Sequence, residues 1–286
     1  MTIKLPEGYK LVELEKTDST NLHAERLFRS GQKDGVTVVW ARHQTDGRGR
    51  QGRKWISQEG NLFSSLVFAP DTEPMITLGV SFVSAVSARD AIEEIVPSLK
   101  NKIKFKWPND LMLDGKKLGG ILLDSAMRQD LPKSEFVVAG LGINVKEAPK
   151  FSELAGTSKS TKVIYEPISL AEYNVTAEKL LESLVNNFSK NLEIWNKGKG
   201  FNEILESWKK SSALIEGSVV TVAIGPKEYT GKYKNIDENG NMLLDIDGKQ
   251  QKIDAGEIIG GSMFSKKVDI TKAKSPSKNS DLGKLR

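Results

Sequence analysis

Residues 44–55, with the sequence QTDGRGRQGRKW, are the most informative stretch of this 286-residue chain. They follow Val36–Ala41, a short β-branched apolar run that predicts a buried strand. Glycines recur through the stretch, so its backbone can adopt unusual φ values and approach a ligand closely. Arginines alternate with these glycines, and guanidinium groups match phosphate oxygens. The pattern predicts a loop that binds a polyanion; the alternative is a flexible, solvated surface loop.

Two features narrow the chemistry of this loop. It matches neither a Walker A loop nor a Rossmann fingerprint, because the glycine spacing and the flanking residues of both motifs are missing. Trp55, at its end, offers an aromatic face suited to stacking on a base. The loop therefore has the chemistry of a nucleotide contact without belonging to either common phosphate-binding motif.

The surrounding pattern predicts an α+β domain. Tyr9–Glu15 alternates apolar and polar residues and predicts a strand, and residues 17–21 are N-cap types that open a helix over Leu22–Phe28. Further strands are predicted at Leu62–Phe68, Ile103–Trp107, Gly120–Leu123 and Phe136–Leu141, and further helices at Ile76–Val96, Leu170–Trp195 and Phe201–Trp208.

The texture changes after Ser212. Four strands are predicted at Val219–Ala223, Tyr229–Asn235, Met242–Ile246 and Gln250–Ile253. Gly-containing turn signals separate them, which is typical of a small antiparallel barrel or meander. We therefore expect a large domain over residues 1–213, a small β module over 214–263 and a tail over 264–286.

Composition limits the possible functions. The chain has no cysteine, which excludes disulfides and thiolate chemistry. Its net charge of +5 comes from residues 265–286, which hold seven basic and two acidic groups, so residues 1–264 carry 35 of each sign. A basic, Lys- and Ser-rich end predicts a disordered tail rather than a nucleic-acid surface. No leader pattern or membrane-spanning run stands out, and we expect a cytoplasmic protein.

Residues 47–55 resemble the G-R-G-R-x-G-R-x-W signature of biotin–protein ligases at every fixed position. The family's other segments follow in order: Ser19-Thr20-Asn21 for S-T-N, residues 106–110 for K-W-P-N-D, residues 117–121 for K-L-[AG]-G-I, and residues 140–144 for G-x-G-I-N. Together they cover about residues 9–146. The resemblance implies a mixed-sheet catalytic domain of the class II synthetase-like biotin/lipoate ligase type, followed by a small SH3-like β-barrel.

The resemblance also implies two half-reactions. The carboxylate of biotin attacks the α-phosphorus of ATP, giving biotinyl-5′-AMP and pyrophosphate; a lysine of a biotin carboxyl carrier protein or domain then attacks the anhydride and releases AMP. Positive charge is needed where the two anions meet. The catalytic residues that we predict are Lys117, Arg50, Asp110 and Lys106. Lys117 would bridge the biotin carboxylate and the α-phosphate, and Lys106 would share this role. Asp110 would either contact the Mg²⁺ that accompanies ATP or act as the base toward the incoming lysine.

Binding roles follow from the same resemblance. The ureido ring of biotin needs a few placed donors and acceptors in an apolar slot. The predicted biotin-binding residues are Ser19, Thr20, Asn21, Gln44, Gly47, Arg48, Gly49, Lys117, Gly119, Gly120 and Gly140. The predicted ATP-binding residues are Arg48, Arg50, Arg53, Trp55, Asn109, Asp110, Lys117 and Asn144, with Trp55 stacking on adenine. His23 and His43 lack a partner constellation and are interpreted as structural or surface residues.

Three alternatives remain. A lipoate ligase would share the fold and the adenylation chemistry, but its G-G-G-x-V-x-H-D-like run is absent here. A transcriptional regulator would carry a helix-turn-helix domain ahead of the S-T-N element, which begins by residue 19. A catalytically inactive binding module is disfavoured by Arg50, Asp110 and Lys117. We expect no nucleic-acid or membrane partner, and a homodimer, since exposed strand edges allow pairing.

Overall fold

A seven-stranded mixed sheet forms the framework of the N-terminal part of the chain. A computed structural model describes residues 3–154, 163–261 and 268–269. The strands are β1 (Tyr9–Thr17), β2 (Val36–Gln44), β3 (Leu62–Phe68), β4 (Ile103–Lys106), β5 (Asp110–Leu113), β6 (Lys116–Met127) and β7 (Ser134–Ile143). Their order is β1-β2-β3-β7-β6-β5-β4. Only β1 and β2 run parallel, and the other neighbours are antiparallel. The predicted α+β fold with a mixed sheet is confirmed.

Helices cover both faces of this sheet. They are α1 (Thr20–Arg29), α2 (Pro74–Thr77), α3 (Val80–Ile95), α4 (Phe151–Leu154), α5 (Ala177–Trp195) and α6 (Phe201–Lys210). Helix α1 packs on one face, where the rings of Phe28 and Phe136 lie 5.3 Å apart. Helices α3, α5 and α6 cover the other face and contribute to the larger core, which includes Phe188 and Trp208. Because both faces are covered, β2 and β3 are nearly continuous apolar runs.

The helix predicted over Ile76–Val96 is divided into α2 and α3. A Cβ at Gly79, between them, would lie 2.8 Å from Nε1 of Trp195, so glycine allows α5 to approach closely. Residues 74–95 also reach the length and mean hydropathy of a membrane span, contrary to our inspection of the sequence. However, 67% of the most apolar window is buried inside this domain, as in a core helix.

Other boundaries differ because tertiary contacts override local patterns. Strand β6 is three times as long as its predicted four residues, since it pairs with β7 along most of its length. No periodic pattern marks the short strand β5, which forms a hairpin with β4. Helix α5 begins at Ala177 instead of near Leu170, because the Thr176 side chain accepts a hydrogen bond from the backbone N–H of Lys179 and caps the helix there.

The C-terminal part is a five-stranded antiparallel sheet in the order β12-β11-β10-β9-β13. Its strands are β9 (Val219–Ile224), β10 (Lys227–Ile236), β11 (Met242–Ile246), β12 (Lys249–Ile253) and β13 (Glu257–Gly261). The four predicted strands are present, and β13 is additional. Trp107 Nε1 donates to the carbonyl of Gly240 at 3.0 Å, which connects this sheet with the N-terminal part. The cores of the two parts are continuous.

A two-residue pairing completes the described structure. Strand β8 (Val163–Ile164) pairs with β14 (Val268–Asp269) in antiparallel register. The disorder predicted for the tail over residues 264–286 otherwise falls outside the described residues. The predicted boundary near residue 213 precedes β9 by a few residues and stays a prediction.

Candidate active site

Glycines on the adjacent strands β6 and β7 form the floor of a pocket. Gly120 pairs directly with Gly142 across the two strands. A Cβ at Gly142 would lie 2.5 Å from the indole of Trp55, and one at Gly140 would overlap the side-chain amide of Asn21. The missing side chains therefore leave room for groups that approach the sheet from above.

Most of the predicted site residues line this one pocket. They are Ser19, Thr20, Asn21, Gln44, Arg48, Gly49, Arg50, Arg53, Trp55, Asn109, Asp110, Lys117, Gly120, Gly140 and Asn144. Three predicted residues do not line it. Lys106 lies behind Asp110, Gly47 forms the base of the arginine–glycine loop, and Gly119 lies within β6 facing the carbonyl of Gly142. Neither histidine lines it, and His43 is exposed.

The arginine–glycine loop, residues 45–61, folds back on itself after β2. The N–H of Gly49 donates to the carbonyl of Arg53 at 2.7 Å, and that of Trp55 donates to the carbonyl of Gly47 at 2.8 Å. The tip turns at Gln51 and Gly52, whose φ angles are 56° and 71°. Glycine adopts such a left-handed conformation without steric cost, which explains its place at the turn.

Two arginines of this loop contact the C-terminal sheet. Arg53 Nη1 lies 2.6 Å from Oε1 of Glu257, which is almost buried at the start of β13. Arg50 Nη1 lies 3.4 Å from both Oδ1 of Asn109 and the carbonyl of Gly256. The guanidinium groups are thus held at the rim of the pocket by neutral or negative groups from distant parts of the chain.

A carboxylate between two lysines forms the charged centre of the pocket. Asp110, at the start of β5, has its Oδ2 2.7 Å from Nζ of Lys106 and its Oδ1 2.6 Å from Nζ of Lys117. Lys106 is only 2% exposed, and Lys117 is 27% exposed toward the pocket. Strands β4, β5 and β6 are neighbours in the sheet. Lys106 is the last residue of β4, Asp110 is the first of β5 and Lys117 is the second of β6, so the pairing of the strands brings the three side chains together.

Burial and charge act in opposite directions on these groups. Burial alone would raise the pKa of Asp110, but the positive charges of Lys106 and Lys117 outweigh it and hold that pKa well below its usual range. Burial lowers the pKa of Lys117, and Asp110 opposes this shift. Removing either sign of charge would leave a buried, unpaired ion, which is strongly unfavourable.

The indole of Trp55 lies over the glycine floor. Its ring centroid is 5.7 Å from Nζ of Lys117, and a Cβ at Gly120 would come within 3.4 Å of its Cζ3. Its Nε1 is buried and has no hydrogen-bond partner among the described residues. A buried N–H without an acceptor costs free energy, which an acceptor from a ligand or a movement of the indole would recover.

Polar side chains form a network at the other end of the pocket. The backbone N–H of Thr20 donates to Oε1 of Gln44 at 2.8 Å, and its hydroxyl lies 3.1 Å from the same atom. Nε2 of Gln44 donates to the hydroxyl of Ser57 at 3.2 Å. Ser19, Thr20 and Asn21 all reach the pocket from the start of α1, and all three are buried.

Two predicted asparagines have structural partners. Nδ2 of Asn109 donates to the carbonyl of Ile121 at 2.6 Å, and Nδ2 of Asn144 donates to the carbonyl of Ile168 at 3.0 Å. These bonds fix the two amides at the edge of the pocket. Each residue therefore holds neighbouring backbone in place as well as facing the cavity.

Tyr165 and Glu257 line the pocket although no sequence signal placed them there. Tyr165 lies beneath Lys106, whose Nζ is 4.4 Å from the ring centroid. Burial raises the pKa of Tyr165 strongly, and the charge of Asp110 adds to that, so its hydroxyl stays protonated. Glu257 comes from β13, for which no strand was predicted. Contacts that join such distant residues leave no local periodicity to detect.

Asp110 does not fit a resident Mg²⁺ as it stands, because each of its oxygens already holds an ammonium group. Within residues 3–154 and 163–261, no three Asp, Glu or His side chains are grouped so that they could hold a metal ion. The described residues therefore form no site that would hold Mg²⁺ without the phosphates of a bound nucleotide.

Fold and site together define a class of protein. Residues 13–144 match the biotin/lipoate A/B protein ligase family. The chain is 31% identical over 252 residues to the biotin–[acetyl-CoA-carboxylase] ligase of Paracoccus denitrificans, covering 87% of this chain and 99% of that one. It is 30% identical to the bifunctional ligase/repressor BirA of Escherichia coli K12, covering 88% of this chain and 74% of BirA.

A solved structure agrees with these relatives. The biotin protein ligase from Aquifex aeolicus in complex with biotin and ATP superposes with a TM-score of 0.68 at 29% identity, covering 87% of this chain and 97% of that one. The chain belongs to the biotin–protein ligase family.

Proposed function

We propose that the protein is an ATP-dependent ligase that activates biotin as biotinyl-5′-AMP and transfers the biotinyl group to a specific lysine of a biotin carboxyl carrier protein or domain. One observation carries the proposal: Asp110 and Lys117, two members of the Lys106–Asp110–Lys117 cluster, line the same pocket as the arginine–glycine loop, in a chain of the biotin–protein ligase family. The cluster has a formal net charge of +1, and its exposed lysine faces the pocket that the loop arginines also line.

Lys117 is assigned to the reacting groups. In the first half-reaction a carboxylate oxygen of biotin forms a bond to the α-phosphorus, and the bond from that phosphorus to the bridging oxygen of pyrophosphate breaks. Negative charge accumulates on the oxygens of the α-phosphate, where a fixed ammonium group stabilises it. Asp110 and Lys106 hold Lys117 in place. Because its pKa is low, Asp110 is a weak proton acceptor, which favours this role over that of a base.

The arginines and Trp55 are assigned to ATP. Arg48, Arg50 and Arg53 line the rim and would bind phosphate oxygens, with Arg53 exchanging Glu257 for a phosphate. The indole of Trp55 would turn from the glycine floor onto adenine. This movement would take its Nε1 out of the buried position in which it has no hydrogen-bond partner among the described residues. Asn109 and Asn144 complete the nucleotide side. Mg²⁺ would enter as MgATP, bound mainly by phosphate oxygens.

The polar network is assigned to the ureido ring of biotin. Ser19, Thr20, Asn21 and Gln44 provide hydroxyl and amide groups beside the backbone of Gly120 and Gly140. We place Gly47, Gly49, Gly119 and Arg48 as residues that shape this slot. In the second half-reaction, the neutral amine of the acceptor lysine attacks the carbonyl carbon of the anhydride, and AMP leaves with the electron pair of the broken C–O bond. The nitrogen releases one proton to solvent as the amide forms.

Finer features of the molecule are proposals of the same kind. We assign the sheet of β9–β13 to an SH3-like module and place the catalytic domain in residues 1–213. The protein would act as a homodimer in the cytoplasm, without binding nucleic acid or membranes. Size measurement in solution and DNA-binding assays test these assignments directly.

Transfer of labelled biotin tests the function. The full chain is incubated with radiolabelled biotin, MgATP and a biotin carboxyl carrier domain, and the carrier is then separated and counted. We expect label on the carrier for the wild type and none for Lys117→Ala. The control is Lys116→Ala, which removes the adjacent, partly exposed lysine that pairs with Glu166; this variant should retain transfer. Transfer of lipoate in place of biotin, or equal transfer by both variants, would contradict the proposal.

A further inference from the structure

We propose that Ser65 and Asp124, which lie behind the pocket, are positioning residues that make the Thr20 hydroxyl an acceptor for an N–H group of the ligand. This inference rests on the proposed binding of biotin in the same slot. Ser65 is on β3 and fully buried, and Asp124 is on β6 and half-buried. Both act through the amide of Asn21, which reaches the pocket between them.

Asp124 determines which way the Asn21 amide faces. Nδ2 of Asn21 donates to Oδ2 of Asp124 at 2.8 Å and to the carbonyl of Leu122 at 3.3 Å. Both partners are acceptors only, so a flipped amide would place its oxygen against two other oxygens. The carboxylate of Asp124 is the closer of the two and carries the charge, and charge-assisted hydrogen bonds are the stronger ones. Oδ1 of Asn21 must therefore point toward Ser65.

Of the two acceptors within reach of the Ser65 hydroxyl, Asn21 then receives its proton. Oγ of Ser65 lies 2.6 Å from Oδ1 of Asn21 and 2.8 Å from Oγ1 of Thr20. A hydroxyl has one proton, and an amide oxygen has none, so Ser65 donates to Asn21. The Thr20 hydroxyl in turn donates its own proton to Oε1 of Gln44 at 3.1 Å.

The Thr20 proton is therefore held by Gln44, and the Ser65 proton is held by Asn21. The lone pairs of Thr20 then remain for a ligand, and a ligand N–H is the group that they accept. With the Asn21 amide flipped, Nδ2 would donate to Ser65, Ser65 would donate to Thr20, and one of those lone pairs would be occupied. The polarity of the chain Asp124–Asn21–Ser65–Thr20 thus selects an N–H donor such as a ureido nitrogen.

The neighbouring serine provides a matched control. Ser64 is also fully buried on β3, but it faces the opposite side of the sheet, and its hydroxyl has no hydrogen-bond partner among the described residues. Replacing Ser64 or Ser65 by alanine removes the same atom from the same strand. Only Ser65→Ala removes a member of the polar network.

Binding measurements on the full-length chain test the inference. Calorimetry gives the Kd for biotin and for biotin methylated on both ureido nitrogens, in the wild type, Ser64→Ala, Ser65→Ala, Asp124→Ala and Asp124→Asn. Loss of one oriented hydrogen bond corresponds to an increase of about tenfold in Kd. We expect that increase for biotin in Ser65→Ala and Asp124→Ala, with no comparable change for the methylated ligand. Asp124→Asn, which keeps an acceptor oxygen for Asn21, restores most of the affinity.

Kinetics provide a second measurement, since a merely structural defect would not separate KM from kcat. KM for biotin rises in Ser65→Ala and Asp124→Ala, while kcat at saturating biotin stays near that of Ser64→Ala. Equal biotin affinity in Ser64→Ala and Ser65→Ala, or unchanged discrimination against the methylated ligand in Asp124→Ala, overturns the inference alone. A wild type that binds no biotin overturns the proposed function and this inference with it. Asp124 is half-exposed, so its variants provide the test even if Ser65→Ala does not fold.

Discussion

At the scale of single residues, Asp110 determines the charge state of the pocket. Its carboxylate lies within 2.7 Å of both lysine ammonium groups. Without it, Lys106 and Lys117 would face each other with no counter-charge in a mostly buried site. Two like charges in such an environment lower each other's tendency to stay protonated. Asp110 therefore preserves the positive charge that the proposed adenylation needs.

Replacing Asp110 by asparagine tests this role through pH. Burial already lowers the pKa of Lys117, and Asp110 raises it, so removal of the carboxylate lowers the pKa further. Lys117 is charged below its pKa, and activity falls as pH rises through that value. We expect the alkaline limb of the pH–rate profile for biotinyl-AMP formation to move to lower pH in Asp110→Asn. Asp114→Asn, an exposed change in the β5–β6 turn, is the control; identical profiles for the two variants would contradict the assignment.

Gly142 contributes to the pocket because it has no side chain. A Cβ there would come within 2.5 Å of the Trp55 ring, so Gly142→Ala displaces the indole or strains the sheet. Overpacking of this kind costs about 1–3 kcal/mol. We expect an increased KM for ATP and a changed tryptophan emission spectrum. The spectral change should vanish in the Trp55→Phe background, and a change that persists there would place the effect at another tryptophan.

At the scale of elements, the arginine–glycine loop combines a locally hydrogen-bonded stem with an exposed tip at Gln51 and Gly52. Few apolar contacts hold this tip, which places it among the segments that open at low free-energy cost. The proposed function requires it to close over an anhydride that water would hydrolyse. The loop thus has to exchange contacts with protein for contacts with substrate.

Limited proteolysis measures that exchange. Trypsin cleavage after Arg50 should be rapid in the free protein and at least several-fold slower with biotin and MgATP present. Cleavage after Lys33, in the exposed connection between α1 and β2, is an internal control that ligands should leave unchanged. Equal protection at both sites would indicate general stabilisation, and no protection at Arg50 would exclude ordering of the loop.

Strands and helices were predictable from sequence where a continuous apolar run or a simple period of apolar residues marks them. Strand β3 and strand β11 agree with their predicted bounds, and β1, β2 and α1 agree to within a few residues. The pattern failed for β5 and β13, which are short and acquire their pairing from neighbouring strands. It also failed at the start of α5, where one cap residue decides the boundary. Local sequence therefore predicted which strands and helices are present better than it predicted where they begin and end.

At the scale of the whole molecule, Glu257 connects the C-terminal sheet with the arginine–glycine loop. Its partner Arg53 is 204 residues earlier in the chain. Motif spacing placed Arg53 in the site, but no local signal could place Glu257 or Tyr165 there, because only the packing of the C-terminal part beside β5 brings them close. The site residues within the sequence motifs, from Ser19 to Asn144, were therefore predictable, whereas Tyr165 and Glu257 were not.

Glu257→Gln tests whether that connection restrains the loop. Loss of the carboxylate removes the ion pair with Arg53, and trypsin cleavage after Arg50 should become faster in the free protein. Saturation with biotin and MgATP should restore wild-type protection, because the substrates then hold the arginines. Glu238→Gln, in the exposed β10–β11 turn of the same sheet, should behave as the wild type. Unaltered cleavage in Glu257→Gln would mean that the ion pair does not restrain the loop.

The unequal charge of the Lys106–Asp110–Lys117 cluster also bears on turnover. Free biotin and its adenylate both bring negative charge to a centre that is one positive charge in excess. The biotinylated lysine of the carrier is an uncharged amide, so it no longer compensates that excess. We therefore expect the electrostatic attraction between the cluster and the biotinyl group to be lost when the amide forms, so that the modified carrier dissociates readily. Free biotin should then bind at the cluster far better than a biotin amide does.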